Sequence, residues 1–267
     1  MVPALRAAPA ITTLRDEDGQ VFAAIWTSGR KRLMHLPGVA TFVCPLDGPK
    51  STATPEPGVS PPAVVEAFHR FVVPVQLYFA GYEVLHASAV RTREGTVGFC
   101  AEAGTGKTTL AYGLSTRGSP LWADDALALD VSQRPHALLL PFNPRLRPRA
   151  MRFFEASSFR PPLRSPAEQE SVPVAALAVV KRVTGGTNAV RIERLSGGSA
   201  FHDLVRHAYR VDLKADYARR KTLIENYMKI VASVPVFEIS FRPGFQRFPS
   251  VLDRVAEFLD AELGQAA

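Results

Sequence analysis

Ala101, Gly106, Lys107 and Thr108, in the stretch GTVGFCAEAGTGKTTLAYGLSTRGSP, stand at the [AG]xxxxGK[ST] spacing of a phosphate-binding loop. Gly104 and Gly106 let the backbone curl until consecutive N–H groups aim at phosphate oxygens. Lys107 adds a mobile positive charge, and the Thr108 hydroxyl is placed for magnesium. A helix starting near Lys107 would direct its positive end at the β-phosphate. The spacing therefore predicts a site for ATP with Mg2+ built from Ala103, Gly104, Thr105, Gly106, Lys107, Thr108 and Thr109.

Past the loop, SPLWADDALALD puts Asp124 and Asp125 at the end of a short apolar strand, about one helix and one return strand further on. In phosphoryl transfer one such carboxylate holds the metal and a second accepts the proton of the attacking hydroxyl. Neighbours on a strand point to opposite faces, so both can serve one site only if the strand ends or twists there. The alternative is that one of them caps a turn. His86, in VLHASAV, lies on the strand before the loop strand, where a histidine is either structural or an acid–base partner of the site.

Those residues, in that order, resemble the HPr kinase/phosphorylase family, and more closely its shorter serine-kinase relatives. The likeness runs from Leu85 to Leu129, about 45 contiguous residues. It implies a nucleotide-binding core shared with phosphoenolpyruvate carboxykinase and transfer of phosphate to a serine hydroxyl of a small protein or peptide. It further implies Asp124 as the base, paired with His86, Lys107 on the phosphates, and Asp125 with Thr108 at magnesium. Some short relatives phosphorylate ribosomally made precursor peptides, lasso peptides among them, and such a peptide is the expected acceptor. Where the family's glycine-rich signature would follow the aspartates, this chain has PFNPRLRPRAMRFFEASSFRPPLRSP, which argues against phosphorylase activity and against HPr as the substrate.

That stretch, residues 141–166, interleaves Arg145, Arg147, Arg149, Arg152, Arg160 and Arg164 with Phe142, Phe153, Phe154 and Phe159. It reads as a loop or lid. Arg145, Arg147 and Arg149 could clamp an acidic acceptor or the transferring phosphate, and the rings could receive apolar side chains of a peptide. The other reading is a solvated loop anchored by its phenylalanines. Arg219, Arg220 and Lys221, at the start of a predicted helix over Tyr217–Ala232, similarly read as a γ-phosphate sensor or as a solvated basic face.

The elements that must position these groups form an α/β core with a mixed sheet, residues 61–267, after a small β-rich unit and linker, residues 1–60. Strands are predicted at Val21–Thr27 and Val39–Cys44, and DGPKSTATPEPGVSPP reads as a linker or extended surface loop. AVVEAFHRFVVPVQLYFAGY predicts a buried helix kinked at Pro74. Val84–Val90 and Thr96–Cys100 precede the loop as strands, and Val174–Lys181, Ala189–Arg194 and Pro235–Phe241 follow it. A last helix has Ser250 as N-cap and an apolar face through Val251, Leu252, Val255, Phe258, Leu259 and Leu263.

The composition, 46% hydrophobic and 21% charged, is that of a soluble globular chain. Two distant cysteines, Cys44 and Cys100, give neither a disulfide framework nor a zinc site, and predict a reducing cytoplasm. No stretch approaches the roughly 18 apolar residues of a membrane span. A net charge of +7 suits an anionic partner, yet no nucleic-acid fold signature accompanies it. Two further functions fit the same residues: a kinase for a small hydroxylated metabolite, and a nucleotide-binding module that regulates a partner. A homo-oligomer is compatible with the sequence.

Overall fold

A computed structural model of the chain describes residues 12–15, 19–48, 50–156, 171–185, 190–209, 211 and 217–264. It divides into two compact units, Met1–Ala80 with Arg210–Arg220, and Gly81–Tyr209 with Lys221–Ala267.

The first unit contains an antiparallel meander in chain order: β1 (Thr12–Arg15), β2 (Val21–Ser28), β3 (Lys31–Leu36), β4 (Ala40–Pro45) and β5 (Thr52–Pro55). The expected linker thus contains an edge strand. All four residues of β5 are exposed, and a proline at its end suits an edge that need not donate further ladder bonds. The predicted helix forms in two pieces, α1 (Pro61–Ala67) and α2 (Val73–Phe79), joined by a π-helical turn at Phe68–Val72. Pro74 has no N–H for the carbonyl four residues back, and the wide turn absorbs this, with the Val73 N–H donating to the Phe68 carbonyl.

These helices explain why the units divide after Ala80 and not at residue 60. The Phe68 and Phe71 rings pack on Phe42 and Phe22 of the meander, with centroids 5.9 and 5.6 Å apart. Arg32 of β3 donates to the Gln76 side chain and lies over the Phe79 ring.

The second unit is built on a mixed sheet of β6 (Glu83–Leu85), β7 (Ala87–Arg91), β8 (Thr96–Cys100), β9 (Leu121–Ala123), β10 (Leu127–Asp130), β11 (His136–Leu138), β12 (Ser171–Arg182), β13 (Val190–Arg194) and β14 (Val236–Phe241). At its centre β8, β12 and β14 run parallel, and the remaining pairings are antiparallel. Alternation along β12 serves two cores, as a two-residue strand period requires. Ala176, Ala178 and Val180 face Leu110, Leu114, Val251 and Val255 of α3 (Lys107–Ser115) and α7 (Phe248–Gly264). Leu177 and Val179 face Leu204, Tyr227 and Ile230 of α5 (Gly197–Arg206) and α6 (Tyr217–Ser233).

Four elements differ from the sequence reading. The predicted strand Val84–Val90 is broken at His86 into β6 and β7. Part of the arginine-rich stretch is a helix, α4 (Pro148–Glu155), with Pro148 at its first turn and Ala150 and Phe154 buried. Pro148 is a helix-start residue, where its missing N–H costs nothing. Helix α5 follows the N-cap Ser196, which accepts from the Ser199 N–H, behind a Gly-Gly pair that masks the helical pattern. Helix α7 begins at Phe248, ahead of the expected N-cap Ser250. Phe159, Arg160, Arg164 and Ala189 lie outside the described residues.

Close packing of α3 on α7 depends on Gly113. A Cβ there would stand 2.5 Å from Leu252 Cδ2 and 2.7 Å from its Cδ1. Gly113→Ala is expected to destabilise the second unit by about 1–3 kcal/mol of overpacking, offset in part by about 1 kcal/mol of helix propensity. A lowered denaturation midpoint at unchanged slope would show it. Among the described residues no helix is long and apolar enough to cross a membrane.

Candidate functional site

The loop between β8 and α3 sits at the carboxyl end of the parallel strands, where open α/β sheets hold their ligands. Gly104 (φ 81°) and Gly106 (φ 112°) adopt left-handed backbone, which explains why glycines stand at both places. Lys107, the first residue of α3, is only 6% exposed, and its Nζ lies 2.8 Å from His86 Nε2.

That contact fixes the imidazole. An ammonium group only donates, so Nε2 accepts and the ring proton sits on Nδ1, which donates to the Asp125 carbonyl at 3.1 Å. The break between β6 and β7 positions the ring, and the His86 backbone N–H is held by the His207 carbonyl at 2.8 Å. His86 therefore bridges Lys107 and the Asp125 backbone, whereas the expected partner was the Asp124 carboxylate.

Asp124 follows β9 directly and is 6% exposed. Its Oδ1 accepts from Thr108 Oγ1 and from Ser88 Oγ, both at 2.7 Å, and its Oδ2 accepts from the Arg145 backbone N–H at 3.1 Å. The Thr108 hydroxyl is thus paired with Asp124, in place of the expected Asp125. Asp125 is partly exposed and has a positive φ of 66°, a conformation rare outside glycine and short polar residues. The strand has ended at Ala123 and the chain turns sharply, so the objection to adjacent aspartates on a continuing strand does not apply.

Ser88 was missed by sequence reasoning. It is fully buried on β7 and completes the hydroxyl pair on Asp124 Oδ1, with Ser88 Oγ 3.3 Å from Thr108 Oγ1. Its separation of two from His86 was the available signal, since two residues on is the same strand face.

Among the described residues arginines approach the loop from several elements, Arg206 of α5 lying 3.4 Å from Glu102. Arg147 arrives on the segment before α4, and a Cβ on Gly104 would lie 3.0 Å from its Nη2. Arg182, at the end of β12, donates from Nε to the Thr105 carbonyl at 2.8 Å. Of the three expected clamp residues, Arg145 contributes a backbone N–H and Arg147 its guanidinium, while Arg149 is exposed on the first turn of α4. Of the expected sensor cations, Arg219 lies over the Tyr78 ring, 4.4 Å from its centroid, within the first unit. Arg182 had no sequence signal beyond a basic residue ending an apolar strand.

Behind the loop, Cys100 is fully buried. Burial pushes its thiol up to about 12 against the opposing pull of the Lys107 charge, so it is a packing residue and not a nucleophile. Among the described residues no three His, Cys, Asp or Glu side chains gather as a metal cage. The hard oxygens that do meet, Thr108 Oγ1 and Asp124 Oδ1, suit magnesium, which takes one or two protein ligands and completes its shell with phosphates and water.

The chain thus belongs structurally to the mixed α/β class, with an antiparallel β unit before it and a glycine loop at the carboxyl edge of its parallel strands. No family model matches the sequence and no curated protein matches it. Among solved structures it is similar to the Hpr(Ser) kinase/phosphatase from Coxiella burnetii, at 13% identity over 67% of this chain and 98% of that chain, with a TM-score of 0.33.

Proposed function

We propose that this chain is an ATP-dependent kinase that transfers the γ-phosphoryl group to a serine hydroxyl of a peptide or small protein, a ribosomally made precursor peptide of the lasso type being the favoured acceptor. The observation that carries the proposal is the 2.7 Å bond from Thr108, on the first turn of the loop's helix, to the buried Asp124 carboxylate. It joins the loop hydroxyl to an acidic residue at the end of β9, two strands from the loop strand β8, a relation of hydroxyl and carboxylate that phosphoryl-transfer sites use at their metal.

In this reading the loop N–H groups of Ala103–Gly106 and the Lys107 ammonium hold the β- and γ-phosphates, and Thr109 lies beside them on α3. Thr108 and Asp124 would hold magnesium, which when bound neutralises phosphate charge. Asp125 then takes the role of base. It receives the proton as the serine oxygen bonds to the γ-phosphorus and the bond to the β-phosphate oxygen breaks, leaving ADP. His86 orients both partners, accepting from Lys107 and donating to the Asp125 carbonyl. This exchanges the roles that the family resemblance implies for the two aspartates, and Thr108 with Ser88 is the reason.

A peptide acceptor is favoured by exposed Arg145, Arg147 and Arg149 on the segment that crosses from Asp124 to Gly104. An acceptor approaching the site would pass a cationic rim. Incubation with Mg·ATP and serine-containing precursor peptides, read by mass spectrometry, should give a phosphoserine product and stoichiometric ADP. Binding of ATP with neither product would contradict the kinase reading.

A further inference from the structure

Beside the loop, a cleft of about 80 Å3 is lined by Thr105, Gly106, Thr109, Arg182, Phe241 and Phe245. We infer that this cleft is the nucleobase site: the purine of the nucleotide lies flat between the Arg182 guanidinium and the Phe245 ring, with its phosphates on the loop. The inference rests on the nucleotide reading above and extends it to the part of the ligand that the loop cannot recognise.

Size chooses among occupants. Pockets that enclose a whole drug-sized ligand run to roughly 300–1,000 Å3, so this cleft, open to solvent on one side, fits one flat ring and not a peptide segment. Its chemistry is that of a stacking site, because bases have π-faces that pair with aromatic rings and with the guanidinium plane. Both platforms are fixed in place. Arg182 is held by its bond to the Thr105 carbonyl, and Phe245 is stacked on Phe153 with centroids 5.0 Å apart and an angle of 26°. Position agrees too: Arg182 ends β12 and Phe241 ends β14, the successive parallel neighbours of the loop strand β8. A nucleotide bound by its phosphates at the end of β8 would carry its base along that edge.

Calorimetric titration with Mg·ATP and, separately, with magnesium tripolyphosphate tests this. Phe245→Ala is expected to weaken ATP at least tenfold and to leave tripolyphosphate within twofold of wild type, while Lys107→Ala weakens both. Phe245→Leu, which keeps apolar volume against Phe153 but removes the π-face, should show the same selective loss and guards against a packing defect. Unchanged ATP affinity in both Phe245 variants, or equal loss of ATP and tripolyphosphate, would overturn the base site alone. A wild-type chain that binds neither ligand would overturn the nucleotide reading and this inference with it.

Discussion

Lys107→Ala should remove half or more of the thermal stabilisation that ATP gives the wild-type chain. A ligand at 100 times its Kd stabilises the folded state by about 2.7 kcal/mol, and a domain of this size shifts by roughly 2–4 °C per kcal/mol. Wild type should therefore melt about 5–10 °C higher with saturating Mg·ATP. In Lys107→Ala the shift at the same ATP concentration should fall to about 1–5 °C, because a charge-assisted contact of about 1.5–3 kcal/mol is lost. The variant should still fold, since Lys107 sits at the start of α3 and the helix is held by Leu110, Ala111 and Leu114 in the core. Turnover should fall further than affinity, because the same ammonium faces the charge that develops on the transferring group. An ATP-induced shift in Lys107→Ala equal to that of wild type would remove the lysine from the site.

The second large effect separates the two aspartates. Asp124→Asn keeps the shape but removes the charge, and its amide cannot serve both as acceptor for Thr108 and Ser88 and as an anionic magnesium ligand. ATP affinity in this variant should lose its magnesium dependence. Asp125→Asn should retain magnesium-dependent binding and lose about 10²–10⁴-fold in transfer rate, the usual worth of a positioned general base. The opposite result, with Asp125→Asn losing magnesium dependence and Asp124→Asn keeping it, would restore the roles that the family resemblance implies.

Which aspartate meets the Thr108 hydroxyl could not be read from sequence, and the reason is geometric. Asp124 and Asp125 have the same chemistry, and only the end of β9 at Ala123 and the left-handed φ of Asp125 distinguish them. The loop itself was legible because its requirements are local: two glycines at positive φ, a lysine and a threonine on the first helical turn. Ser88 and Arg182 were not, because each reaches the site through sheet pairing, β7 with β8 and β12 with β8, and not through neighbours in the chain. The same holds for the boundary after Ala80, set by ring contacts of Phe68 and Phe71 with a distant meander. Helices α4 and α5 were hidden by Pro148 and by Gly197 and Gly198, which read as breakers but occupy first-turn positions where a helix tolerates them.

Direct titration of the wild-type chain with ATP tests whether a magnesium-bound nucleoside triphosphate binds at the glycine loop. One saturable site per chain is expected in the presence of magnesium, with markedly weaker binding when the metal is chelated. Titration to millimolar ATP and GTP with magnesium present and no saturable heat would contradict that binding.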